Sequence, residues 1–152
     1  MSDDLQDPPE DAGSWAALVP ELLVADLGRS REFYCGVCGF ALRFARPEEG
    51  FMYLQLGGAQ IMLEEVSAEA WITGPLEPPF GRGINFQIEV AEIAPIAARL
   101  EAAGIVPFRA LHEAWYREDD VEHGQAQLLV QDPDGYLLRF VEVLGERPVG
   151  AE

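Results

Sequence analysis

Basic residues are scarce in this chain: ten Lys and Arg stand against 27 Asp and Glu in 152 residues, for a formal net charge of −17. That balance excludes a phosphate-backbone binder, because replacing counterions on nucleic acid needs clustered cations. Long apolar runs are also missing, and no stretch approaches the roughly 20 residues that span a bilayer. The start, Met1 to Ser14, carries Asp3, Asp4, Asp7, Glu10 and Asp11 with Pro8-Pro9 and no basic residue, unlike a secretory signal. The expectation is a cytoplasmic protein with no nucleic-acid and no membrane partner, whose residues 1–15 form an acidic, disordered tail.

Metal and redox signatures are equally thin. The two cysteines, Cys35 and Cys38, make one C-x-x-C at the end of an expected helix. A zinc site wants a second pair or nearby histidines, and a thioredoxin-like site wants the motif at a helix start, so buried structural thiols are the better reading. His112 and His123, with Glu113 and Glu122 nearby, could meet if their segment folded as a hairpin, but their spacing carries no ligand signature. No nucleophile, base and orienting group stand in a recognisable arrangement, and Gly81-Arg82-Gly83 is too short to cradle a phosphate.

What the chain does have is a repeat, in a composition that is 49% apolar and ample for a core. Val19-Pro20-Glu21-Leu22-Leu23-Val24-Ala25-Asp26 is echoed 66 residues on by Asn85-Phe86-Gln87-Ile88-Glu89-Val90-Ala91-Glu92. Helices follow over about Arg29 to Val37, capped by Asp26, and Ile93 to Ala103, stopping at Gly39 and Gly104. Strands are expected at Ala41–Phe44, Phe51–Leu56 and Gln60–Glu65 in the first copy, and near Val106–Ala110, Gln125–Gln131 and Tyr136–Val143 in the second. Shifting the first hairpin by 77 residues lays Ile61-Met62-Leu63 over Leu138-Arg139-Phe140. The reading is one domain over 16–145, with copies at 16–73 and 82–145, a rigid linker at 74–81 and a tail at 146–152. The extra length of the second copy, Leu111 to Gly124, reads as a lid or rim.

Alternation sorts the side chains. Glu21 and Leu23 point one way and Leu22 and Val24 the other; Asn85, Gln87 and Glu89 share one face and Phe86, Ile88 and Val90 the opposite one. One face of each sheet should pack on a helix, and the other should line something polar.

This doubled pattern, with the hairpin Asp132-Pro133-Asp134-Gly135-Tyr136 before the final strand, resembles the vicinal oxygen chelate superfamily of glyoxalases, bleomycin resistance proteins and dioxygenases. Gly57-Gly58-Ala59-Gln60-Ile61-Met62-Leu63-Glu64 and Gly81-Arg82-Gly83-Ile84-Asn85-Phe86 are most similar to its bleomycin-resistance-like members. The resemblance implies an α+β fold of two βαβββ modules forming curved mixed sheets with flanking helices, and a homodimer with two equivalent clefts. Enzymes of that superfamily hold a divalent metal through His and Glu at places that fall here on Val19, Met62, Asn85 and Arg139. None is an ordinary ligand for such an ion, and a fixed cation at Arg139 would repel one. No metal and no cofactor are therefore expected, and the balance leans away from an enzyme.

The candidate ligand-binding residues are Glu21, Glu64, Asn85, Gln87, Trp115, Tyr116 and Arg139. Glu21 and Glu64 either meet a cationic ligand or form an internal salt bridge with Arg139. Asn85 and Gln87 either bind ligand or satisfy their neighbours. Trp115 and Tyr116, beside Asp119 and Asp120, suit a planar cation but equally a subunit contact; Trp71 and Phe80 are candidates for the same wall. The resulting expectation is a metal-free protein that sequesters a cationic or planar, bleomycin-like ligand. The alternatives are a glyoxalase- or dioxygenase-like enzyme with atypical ligands such as Glu21, Glu64 and a histidine, and an orphan ligand sensor of the same fold.

Overall fold

A computed structural model describes residues 14–150 of the chain. The tail expected at 1–15 lies outside the described residues up to position 13, but its end is folded. Trp15 packs edge-on against Tyr53, with ring centroids 5.0 Å apart, and against Phe44 at 5.9 Å. Buried Gln60 holds the backbone on either side, accepting from Ala16 N at 2.9 Å and donating to Ser14 O at 2.7 Å.

The first module runs β1 (Glu21–Val24), α1 (Leu27–Arg31), β2 (Ala41–Arg46), β3 (Phe51–Leu56) and β4 (Ala59–Glu65). The second runs β5 (Asn85–Glu89), α2 (Ala94–Ala102), β6 (Arg109–Glu118), β7 (Val121–Gln131) and β8 (Leu137–Pro148). The two sheets have the same order, β1-β4-β3-β2 and β5-β8-β7-β6, with β1/β4 and β5/β8 parallel and the other pairs antiparallel. Register repeats as well: Glu21 lies opposite Met62 and Gln87 opposite Arg139, matching the shifts of 66 and 77 read from the sequence. The fold is the expected pair of βαβββ modules.

Asp26 caps α1 by accepting from Arg29 N at 2.9 Å, but the helix begins at Leu27 and its second half, Glu32–Val37, is wound as a π-helix. The wider turn lets the consecutive Phe33 and Tyr34 both point into the core. The strand expected from Val106 starts only at Arg109, since Pro107 has no N–H to give a ladder. The lid expected over 111–124 is instead the outer part of a long hairpin. β6, β7 and β8 have 10, 11 and 12 residues against 6, 6 and 7 in β2, β3 and β4. β8 thereby takes in Glu146, Arg147 and Pro148, which the sequence reading gave to a tail.

One core joins the modules. Leu22, Val24, Leu54 and Leu63 from the first sheet meet Leu128, Val130, Leu138 and Phe140 from the second, with Phe33, Tyr34, Ile96 and Leu100 from the helices between them. Each full burial of such a side chain stabilises by about 1.5–3 kcal/mol. The Asp-Pro-Asp-Gly-Tyr turn fastens the joint. Asp132 Oδ1 accepts from the backbone N–H of Asp134, Gly135 and Tyr136, each at 2.9 Å. Asp134 Oδ1 accepts from Ala25 N and Arg29 Nη2, both at 3.1 Å, and Tyr136 donates to Leu23 O at 2.9 Å. The linker is tied to the same turn by Phe80 N donating to Asp134 O at 2.8 Å. Phe80, proposed as a wall of the site, packs on Tyr136 instead, 6.0 Å between centroids. Among the described residues no helix is long and apolar enough to cross a membrane.

Candidate functional site

Because the inner face of each sheet is spent on the shared core, the candidate residues lie on two separate open faces. On the first, the parallel pair β1/β4 presents Glu21, Leu23, Met62 and Glu64, while β2 and β3 present Phe44, Arg46, Phe51 and Tyr53. The β2/β3 half is closed by the chain itself. Trp15 lies over Tyr53 and Phe44, which stack at 5.3 Å and 19°, and the Arg43 guanidinium lies 3.6 Å from the Trp15 ring. The end of the face where Arg46 and Phe51 meet Glu21 and Glu64 is left as an acidic trough.

A cavity of about 240 Å³ there is lined by Glu21, Arg46, Glu49, Phe51, Glu64, Glu69 and Trp71. It adjoins a wider hollow bounded by Glu48, Glu49, Glu64, Glu65 and Glu69. Arg46 is committed to Glu49 at 2.6 Å and lies 4.1 Å over the Phe51 ring, so it does little to neutralise the remaining carboxylates. Burial, and then the Glu64 carboxyl beside it, push Glu21 above its ordinary value of 4.5, against a smaller opposite pull from Arg46. A carboxyl pair that repels internally, next to Phe51 and the 92% exposed Trp71, attracts a cation with an apolar or flat face.

On the second sheet, Asn85, Gln87, Arg139 and Tyr116 share the open face. Tyr116 belongs to a satisfied network around Gln127. Its hydroxyl donates to Gln127 Oε1 at 3.1 Å, which also accepts from Gln125 Nε2 at 3.0 Å. Gln127 Nε2 donates to His112 Nε2 at 2.8 Å, so the proton on that ring is placed at Nδ1, 2.7 Å from Ala110 O. Of the two readings of Glu21 and Glu64, the internal salt bridge with Arg139 does not form within the chain, because the groups stand on different sheets. Arg139 has no ion-pair partner among the described residues, and its buried Nε has no acceptor.

Trp115 departs from the expected wall. Alternation along β6 turns it to the face opposite Tyr116, where its ring lies flat over Gly124 and the Arg147 guanidinium stacks on it at 4.0 Å. Asp119 and Asp120 form the hairpin tip rather than flanking it. His123 sits between Glu118 and Glu146, at 3.4 and 3.3 Å, and does not meet His112. Trp15, Gln60, Arg43 and Glu69 escaped the sequence reading; Trp15 directly after the acidic stretch was the available signal. Of the two thiols expected to be buried only Cys38 is, and burial raises it to about 12, whereas Cys35, on the outer side of the same turn, is partly exposed.

The residues do not fit a divalent metal where the resembled enzymes hold one. Val19 precedes β1, Met62 offers a thioether, Asn85 an amide and Arg139 a cation. Among the described residues no three His, Cys, Asp or Glu side chains converge on a common point, so the atypical set of Glu21, Glu64 and a histidine is not assembled.

The family model described as the Glyoxalase/Bleomycin resistance protein/Dioxygenase superfamily matches residues 16–140. Curated bleomycin resistance proteins of Geobacillus stearothermophilus and Staphylococcus aureus are 30% identical over 133 residues, covering 82% of this chain and 94% of theirs. Among solved structures, TioX from Micromonospora sp. ML1 shares the fold with a TM-score of 0.65 at 22% identity, covering 86% of this chain and 100% of that one. Lactoylglutathione lyase from Agrobacterium tumefaciens shares it with a TM-score of 0.54 at 21% identity, covering 84% and 92%.

Proposed function

The chain belongs to the glyoxalase/bleomycin resistance protein/dioxygenase superfamily, and from that premise we propose that it is a metal-free binding protein of the bleomycin-resistance type. It sequesters a cationic or planar, antibiotic-like small molecule in a cleft of a homodimer, without changing it chemically. The observation that carries the reading is the acidic trough, where Glu21 and Glu64 stand beside Phe51, Glu69 and Trp71. A ligand cation is drawn in by the uncompensated carboxylates, and the aromatic faces add stacking and cation–π attraction. The bleomycin resistance proteins at 30% identity support the choice of ligand class. A small-molecule sensor would share these contacts; a metal enzyme would need three or more donors converging on one point, and no such group is assembled among the described residues.

Calorimetric titration of the protein with bleomycin tests the proposal. Saturable binding near one equivalent per chain, weakened by salt, is expected. Absence of saturation at micromolar protein discards bleomycin as the ligand, and a stoichiometric transition metal in protein purified without chelator discards the metal-free reading.

A further inference from the structure

The seam between helix and outer strand is built differently in the two modules. In the first, Gly39 is followed at once by Phe40, which is buried, and β2 begins at Ala41. In the second, the stretch Ile105 to Phe108 intervenes between Gly104 and the start of β6 at Arg109. Pro107 keeps this stretch out of the ladder, and Val106 and Phe108 are 87% and 64% exposed. Ala110 and Leu111 then fall in a register break of the β6/β7 pair, between Arg109 and His112, and a break of that kind re-aims side chains.

These departures leave a cavity of about 400 Å³ between the last turn of α2 and the edge strand β6. Its wall is aliphatic: Ala97 comes from the helix, Ile105 and Pro107 from the crossover, and Ala110, Leu111 and buried Leu128 from the sheet. A mostly apolar concavity of this size with one polar group to orient an occupant has the make-up of a small-molecule site. Water inside it meets few hydrogen-bonding partners, so an apolar body that displaces the water is favoured.

The charged side chain on this wall is Glu101, which makes no ion pair among the described residues. The cation in the same turn of the helix, Arg99, is spent elsewhere: its guanidinium donates to Val37 O at 2.6 Å and to Cys38 O at 3.4 Å. The C-terminal end of α2, which carries a partial negative charge, borders the hollow through Gly104 and Ile105. An anion is repelled here and a cation is held.

We propose that this cavity is a second ligand site, separate from the acidic trough, for a small monocation: an apolar ring or short alkyl body that fills the aliphatic hollow, with one ammonium group set against Glu101. It differs from the trough in kind. The trough offers several carboxylates and aromatic faces, whereas this hollow offers a single carboxylate and no aromatic ring. The site stands whether or not bleomycin binds the trough.

The test is titration of the isotope-labelled full chain with phenethylammonium and, separately, with phenethyl alcohol, which has the same body and no charge, read from amide NMR spectra. Saturating shifts at Gly104, Ile105, Val106 and Leu111 are expected with the ammonium. The alcohol is expected to bind the same residues about threefold more weakly, the scale of an exposed ion pair. Glu101→Gln is expected to remove that difference and leave the alcohol's affinity as it was; the residue is exposed, and the spectrum itself reports that the variant folds. Ala110→Phe, which fills the hollow from an exposed strand position, is expected to abolish the shifts from both probes. The Glu101→Gln comparison stands on its own if the larger ring disturbs the strand. No saturation at these amides, shifts confined to Glu21, Glu64 and Trp71, equal binding of ammonium and alcohol by the wild type, a preference that survives Glu101→Gln, or shifts that persist in a folded Ala110→Phe each overturn the proposal.

Discussion

Tyr34 and Asp132, 98 residues apart in the chain, meet in a buried hydrogen bond of 2.7 Å in which the phenol donates to Oδ2. Burial, and then the adjacent carboxyl, hold the Tyr34 hydroxyl well above its ordinary value of 10.0, so it remains a donor at any working pH. With Oδ1 of the same carboxyl accepting three backbone N–H groups, one side chain shapes the Asp-Pro-Asp-Gly turn and binds it to the first module's helix.

Tyr34→Phe keeps the ring but strands the carboxyl oxygen. A loss of about 1.5–3 kcal/mol in unfolding free energy is expected, the range for a hydrogen bond to a charged group. Urea denaturation measures it; a change below ~0.5 kcal/mol would mean that the bond does not fasten the modules.

Gly135→Ala should be worse than an ordinary turn substitution. The residue has φ +106°, and a Cβ there would come within 2.3 Å of Pro79 Cβ and 2.6 Å of its Cα, which belong to the linker. The linker must move, carrying with it the bond from Phe80 N to Asp134 O. A lower melting temperature and faster proteolysis between Gly74 and Gly83 are expected, whereas Gly58→Ala, with nothing within 4 Å of the added carbon and no positive φ, should change neither.

How far the sequence could be read depended on whether local chemistry and tertiary packing agreed. The turn at Asp132 to Gly135 was legible because its residue types require it, and Glu21 and Glu64 fell on one face because strand alternation leaves no choice. The segment around His112 to Arg117 was not legible as a strand, because it projects past the core and so lacks an apolar alternation to mark it. Without that marker, the alternation that puts Trp115 and Tyr116 on opposite faces is not visible in the sequence. Trp15 stands out in the sequence only as an aromatic after the acidic stretch: tertiary contacts with Tyr53, Phe44 and Gln60 order it, and nothing beside it in sequence encodes those partners.

Trp15→Ala should therefore act as a core substitution although it lies beside an acidic tail. Removing the indole uncovers Tyr53 and Phe44 and deprives Arg43 of its stacking surface. A cost of roughly 2–4 kcal/mol is expected, near the lower part of the range for large-to-small aromatic changes because the ring is only partly buried. Thermal unfolding with the intact chain decides this; an unchanged midpoint would mean that the segment does not hold to the sheet.

Cys38 gives a pH signature. Burial raises its folded value to about 12 from the ordinary 9.0, so the unfolded chain releases this proton first as pH rises. The thiol's contribution is fully present below pH 9 and is lost between 9 and about 12, with a limiting slope of ~1.4 kcal/mol per pH unit. Cys38→Ala should cost stability at pH 7 through the lost sulfur, yet lose less than the wild type over that alkaline window. Parallel stability curves for the two proteins above pH 9 would contradict the assignment. In the native protein a thiol reagent should label Cys35, which is partly exposed, well before Cys38.

The two outlying tryptophans separate binding from folding. Trp71 stands 92% exposed at the mouth of the acidic trough, so Trp71→Ala should weaken bleomycin binding by roughly 1–2 kcal/mol while leaving unfolding unchanged within ~0.5 kcal/mol. Trp115 lies on the other side of its sheet, against Gly124 and under Arg147, so Trp115→Ala should lower stability and leave the affinity alone. Calorimetry and urea denaturation on the same two variants decide the matter together. The reverse pattern, with affinity lost at Trp115 and retained at Trp71, would move the ligand from the Glu21 and Glu64 face to the long hairpin and with it the acidic residues responsible for attraction.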